Sequence, residues 1–118
     1  MAGISEISRL QSEIASLNAR KVKCGKAISQ LTLMCANIEM ARKKLTETRE
    51  YMSVEYMGKR TGKITDKMDI IDNNAVIIKD SYAPDFISDL KKLQNSLESQ
   101  IRKKRDAIEA LRAEMDSE

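Results

Sequence analysis

From Ile7 to Leu45 apolar residues return at alternating steps of three and four, without a slip. The a positions of this heptad are Ile7, Ile14, Lys21, Ile28, Cys35 and Arg42. The d positions are Leu10, Leu17, Cys24, Leu31, Ile38 and Leu45. Only Lys21 and Arg42 interrupt the apolar series. A repeat of 3.5 lays all twelve along one narrow strip of an α-helix, whereas a strand alternates every two residues and would scatter them over both faces. Between Gly3 and Met52 stand one glycine, Gly25, and no proline. The pattern therefore predicts one amphipathic helix over about 4–52, roughly 70 Å long, whose seam needs a second helix to cover it.

The second half carries a helical stripe of its own. Ile64, Met68, Ile71, Ala75, Ile78, Tyr82, Phe86, Leu90, Leu93, Leu97, Ile101, Ile108, Leu111 and Met115 recur at three- and four-residue steps, and Lys104 fills the one gap. Four-residue steps at Phe86–Leu90 and Leu97–Ile101 fit a stutter better than a strict coiled coil. Pro84 lies inside the stripe. Because the stripe passes through it in phase, the expectation is a kinked helix over about 63–116 rather than two helices.

Between the halves, residues 53–62 break the pattern and hold Gly58 and Gly62, two of the four glycines. One turn near the midpoint of 118 residues, joining two comparable helices, predicts a single all-α domain: a long two-helix antiparallel hairpin. Composition agrees. Aromatic residues are 3% and charged residues 33%, which suits long solvated helices and excludes an ordinary β-sandwich or barrel. One seam alone leaves such a hairpin only marginally stable, so a further covering surface is expected.

Charge narrows the function. Lys and Arg exceed Asp and Glu by three, with both signs mixed along the chain, which is a solvated helical surface rather than a nucleic-acid footprint. Arg102-Lys103-Lys104-Arg105 spread around a helix by about 100° each, and Glu98, Asp106 and Glu109 stand within pairing distance. No apolar run approaches the ~18 residues of a membrane span, and residues 1–13 lack the form of a signal peptide, so a cytoplasmic start is expected. The absence of histidine removes the commonest general base and metal ligand. No Gly-rich phosphate loop, Cys/His metal spacing or paired-carboxylate cleft is present. The sequence predicts a non-enzyme without cofactor or metal. Cys24 and Cys35, eleven residues apart on one helix, stand roughly 16 Å from each other, too far for a disulfide. Both occupy seam positions and read as small apolar residues.

What remains is binding. Leu33 and Met40 lie at f positions opposite the seam, with Met34 at a neighbouring g; Ile70, Val76, Ile77 and Ile87 lie off the main stripe of the second helix. Unpartnered apolar groups at helical spacing predict a second contact face built on Leu33, Met34, Met40, Ile70, Ile77 and Ile87, for a partner helix or a second copy. Lys21 and Arg42 at a positions either fix register or partner choice, with antiparallel folding bringing Asp69 or Asp72 opposite Arg42, or pack their stems in the seam and hold their charges in water.

At the midpoint the sequence reads Tyr56-Met57-Gly58-Lys59, followed by Thr65-Asp66-Lys67-Met68-Asp69-Ile70-Ile71. An aromatic residue and a glycine at this spacing make a compact reversal, the ring covering the open end of the hairpin. The arrangement resembles the WXG-like small helical hairpins of Gram-positive type VII secretion. It is most similar to the accessory proteins that accompany LXG-domain toxins, whose turn reads Trp-x-Gly-Lys before an Asp-Lys-Phe-Asp-like run. Tyr56 stands in place of the tryptophan and Met68 in place of the phenylalanine. The broader family's Tyr-x-x-x-Asp/Glu export signal after the second helix is missing, since no tyrosine follows Tyr82; Tyr51 to Glu55 has the spacing but precedes the turn. The resemblance implies a targeting factor or chaperone that packs in the cytoplasm beside the helical N-terminal domain of an LXG toxin. It leaves room for a second small helical accessory protein as co-partner, and leaves open whether the chain stays in the cytoplasm or is exported together with the toxin. The competing reading of the same seam is a structural coiled-coil homodimer or tether without a secretion role.

Overall fold

The computed structural model describes residues 2–55 and 59–117, and all of them are helical. Helix α1 spans Ala2–Glu55, α2 spans Lys59–Ile77, a π-helical turn occupies Ile78–Tyr82, and α3 runs over Ala83–Ser117. The all-α helical hairpin expected from the two stripes is the fold. Both arms reach further than the pattern suggested: residues 53–55 and 59–62, assigned to the turn, are helical. Gly62 has no positive φ and serves as an ordinary helical residue. Tyr56 and Gly58, the proposed turn motif, lie outside the described residues.

The chain divides into two compact units, one formed by Met1–Ile28 with Asp89–Glu118, the other by Ser29–Ser88. The first unit holds the core. Leu10, Leu17, Cys24, Leu97, Ile101 and Ile108 are buried, Leu97 and Ile101 completely, with Ile14 and Leu90 packed against them. Its α1 segment pairs antiparallel with α3. Lys104 Nζ donates to Glu13 Oε2 at 2.7 Å, and Lys21 Nζ donates to Glu98 Oε2 at 2.5 Å. Lys21 therefore does not merely reach into water: it pairs across the seam with Glu98. Lys104, the one member of the 102–105 basic run that is half-buried, points inward to Glu13 instead of forming a cationic face.

Every a and d position listed for α1 is buried or half-buried, so the heptad reading of that arm holds throughout. The second arm departs from its expected stripe between Ile64 and Leu93. Ile64, Ile71, Ile78, Tyr82, Phe86 and Leu93 are exposed, while Asp72, Val76, Lys79, Ala83, Ile87 and Gln94 are buried or half-buried. Much of the inward line is thus displaced by one residue, about 100° of helix rotation, whereas Met68, Ala75 and Leu90 are half-buried as the stripe predicts. At 3.6 residues per turn, the steps Lys79–Ala83–Ile87 would run ahead of a straight seam; the wider π turn absorbs the excess. Ala83 N–H donates to the carbonyl of Ile78, five residues back. Pro84 follows at once. It has no N–H to offer, and the loosened turn gives its ring room against the preceding carbonyls. Ile77 and Ala83 on either side keep right-handed helical dihedrals, so the arm is not split.

Candidate protein-binding surface

The Ser29–Ser88 unit is built differently from its companion. Ala83 is its one buried residue among those described. Most of the large apolar side chains left exposed belong to it: Leu33, Met40, Tyr51, Ile64, Ile70, Ile71, Ile77, Ile78, Tyr82 and Phe86, against Ile4, Val22 and Leu93 in the first unit. Polar groups occupy much of the line along which its two arms meet. Arg42 Nε donates to Asp72 Oδ1 at 2.8 Å, so of the two acceptors expected for Arg42 the chain uses Asp72. Asp69 instead accepts from Arg49, whose Nη2 lies 3.2 Å from Asp69 Oδ2. Lys79 Nζ pairs with Glu39 Oε2 at 3.3 Å and with Asp80 Oδ1 at 2.9 Å. These partners hold the Arg42 and Lys79 cations above their ordinary range; for Arg42 the Asp72 hydrogen bond is the largest cause, for Lys79 that of Asp80. Cys35 Sγ sits 4.0 Å from the carbonyl oxygen of Lys79, and neither Cys35 nor Cys24 forms a disulfide.

The ion pairs mark one flank. On α1, Glu39 is an e position and Arg42 and Arg49 are a positions, which turn toward the same side of the seam. Asp69 and Asp72 answer them from α2. The g positions turn the other way. Met34 and Ala41 on α1 therefore share the opposite flank with Ile71 and Ile78, each one residue before an inward-facing Asp72 or Lys79. Gln30, Leu33, Met34, Asn37, Ile38 and Ala41 line a shallow, mainly apolar groove along this side of α1. The second groove, on the charged flank, is lined by Glu39, Arg42, Lys43, Thr46, Glu47 and Glu50.

Of the six residues expected to form one contact face, five are distributed over more than one side of the unit. Met34 is half-buried on the apolar flank. Leu33 and Met40, each about 60% exposed, run along the outer side of α1. Ile70 and Ile77 are exposed on the outer side of α2. Ile87 is half-buried in step with Ala83, turned toward α1. The exposed residues that periodicity misses are Ile71 and Ile78, which their spacing puts in the seam. The signal available was the acidic and basic neighbours, Asp72 and Lys79, which have charged partners waiting at Arg42 and Glu39.

Among the described residues no three His, Cys, Asp or Glu side chains come together as a metal site, and no helix is long and apolar enough to cross a membrane. No protein-family model, curated protein or solved structure matches the chain. The fold and this surface define a class: a helical hairpin in which one unit keeps a packed core and the other turns its aliphatic side chains outward.

Proposed function

We propose that the chain is a non-enzymatic targeting factor or chaperone whose Ser29–Ser88 unit packs against the helical N-terminal domain of a type VII secreted LXG toxin. The observation that carries this reading is the outward placement of Leu33, Met40, Ile71, Ile77 and Ile78 on a unit whose one buried described residue is Ala83. Aliphatic surface of this kind gains about 25 cal/mol per Å² when another helix covers it. A partner that binds only the folded hairpin also stabilises it by mass action, so each chain supports the other until export. The charged flank, with Arg42, Asp72, Glu39 and Lys79, sets the register of the two arms and leaves the apolar flank and outer sides for partners. The turn and the Thr65–Ile71 run that resemble the accessory proteins of LXG toxins point to that partner class, with a second small accessory hairpin on a remaining side. The protein acts in the cytoplasm and travels with its partner.

The test is co-expression with an LXG domain, followed by measurement of complex mass and stoichiometry. A complex at fixed stoichiometry, lost in Leu33→Glu/Met40→Glu while helicity by circular dichroism is unchanged, is the expected result. Absence of a complex with the wild-type chain refutes the reading.

A further inference from the structure

We propose that the outward face of α3 between Lys91 and Arg105 binds the phosphate backbone of duplex DNA, bridging the major groove without reading its sequence. This face belongs to the unit of Met1–Ile28 with Asp89–Glu118 and takes no part in the docking surface of the other unit. The chain's whole net charge of +3 lies in this unit, which holds twelve Lys and Arg against nine Asp and Glu. From Lys91 to Arg105 there are six cations and one carboxylate, Glu98. The mixed signs of the full chain hide this stretch.

The pairing expected to neutralise the run is not made. Glu98 turns to Lys21, and Lys104 turns to Glu13. Among the described residues Asp106 and Glu109 form no ion pair, and neither do Lys91, Lys92, Arg102, Lys103 and Arg105. All five of these cations are exposed.

Their spacing matches a duplex. Lys91-Lys92 and Arg102-Lys103 are two dibasic pairs eleven residues apart. Eleven residues make about three turns, so the second pair stands over the first, turned by only about 20° and roughly 16 Å along the axis. Arg105, three residues on, extends the second cluster. Between the clusters Asn95, Ser96 and Ser99 are exposed and uncharged. The major groove of B-form DNA is about 12 Å wide. A helix crossing it sets one cluster on the phosphates of each rim, with the short polar side chains over the groove between them.

The same face lacks what other anionic partners need. A protein partner or a membrane surface requires an apolar anchor. Leu93, the one large apolar side chain exposed in this stretch, is in line with Leu97 and Lys104 and not with the dibasic pairs. Single strands are held by stacking on aromatic rings, and no Phe, Tyr or Trp occurs in this unit. Contacts to phosphate alone carry no sequence information, so the binding is indifferent to sequence.

The test is fluorescence anisotropy of a labelled duplex about two helical turns long, titrated with the purified chain at several salt concentrations. Five neutralised phosphates give a slope of log K against log salt of about −4.5, roughly a 500-fold loss of affinity between about 50 and 200 mM. Lys91→Gln/Lys92→Gln and Arg102→Gln/Lys103→Gln should each make that slope shallower by about two, with helicity by circular dichroism unchanged. Lys43→Gln/Lys44→Gln removes the same charge from the other unit and should leave the slope as it is. Duplexes of unlike sequence should bind alike, and a single strand more weakly. Absence of binding at the lowest salt, or an equal effect of the Lys43/Lys44 pair, overturns the proposal. Displacement of the duplex by poly-glutamate at equal charge concentration would also overturn it, by showing a general attraction for polyanions.

Discussion

Replacing Leu97 by alanine tests whether the first unit is the part of the molecule that holds a true core. Leu97 is fully buried, with Leu17, Cys24 and Ile101 around it. The substitution removes three carbons, worth about 0.8 kcal/mol each, or about 2.4 kcal/mol in lost transfer energy. A cavity term normally adds to this, bringing Leu→Ala to about 2.7–5 kcal/mol in a rigid core. Here only two helices border the site and can close toward each other, so the lower end, about 2.5–3 kcal/mol, is expected. With roughly 2.1 cal/mol/K of unfolding entropy per residue over 118 residues, Tm should fall by about 10 °C. Leu93→Ala, on the same helix but 39% exposed, is the control and should cost about 1 kcal/mol or less. Thermal and urea melts followed by circular dichroism at 222 nm measure both. A Leu97→Ala loss no larger than that of Leu93→Ala would refute the assignment of the core to this unit.

Gly62→Ala should raise Tm, by the equivalent of about 0.5–1 kcal/mol, because Gly62 is helical, has no positive φ and would place its new Cβ in open space; a lower Tm would mean that it serves as a turn glycine. Acid should weaken the first unit. The Glu13 carboxyl is held below its ordinary pKa chiefly by its Lys104 hydrogen bond, and that of Glu98 chiefly by its Lys21 hydrogen bond. A depressed folded-state pKa means stability that is complete above the unfolded value near 4.5 and is lost as pH falls from there. Glu13→Gln/Glu98→Gln should flatten the fall in Tm below pH 4.5, and an unchanged slope would count against these pairs. A double-mutant cycle on Arg42 and Asp72, side chains about a third exposed, should give a coupling below about 1 kcal/mol, with any larger effect appearing in partner or register choice.

The first arm was legible in the sequence because its heptads are regular and both charged a positions have partners across the seam. The second arm was not, for a specific reason: two stripes lie side by side on it. Ile71 and Ile78 are far more apolar than Asp72 and Lys79, and Tyr82 and Phe86 are larger than Ala83 and Ile87, so side-chain type alone selects the wrong residue at these four steps. The right one is chosen by Arg42 and Glu39 on the opposite helix, whose partners become visible only when the arms are paired. The binding surface suffered the same displacement. Leu33, Met40, Ile70 and Ile77 are exposed as their spacing suggests, but Ile71 and Ile78 were assigned inward and Ile87 outward. Pro84 announced a disturbance without its form, because a π turn leaves no composition signature and resides in the carbonyl of Ile78 bonding one residue further than usual.

That turn also bears on how the chain tolerates changes of length. A π turn holds one residue more than the α-helical path between the same two ends. Elsewhere along the described second arm, losing a residue would swing everything after it by about 100° and pull the downstream seam off its mate. Between Ile78 and Tyr82 the same loss would tighten the turn to an ordinary one and leave α3 facing α1 as before. In an alignment of this chain with a homologue one residue shorter, the gap belongs there.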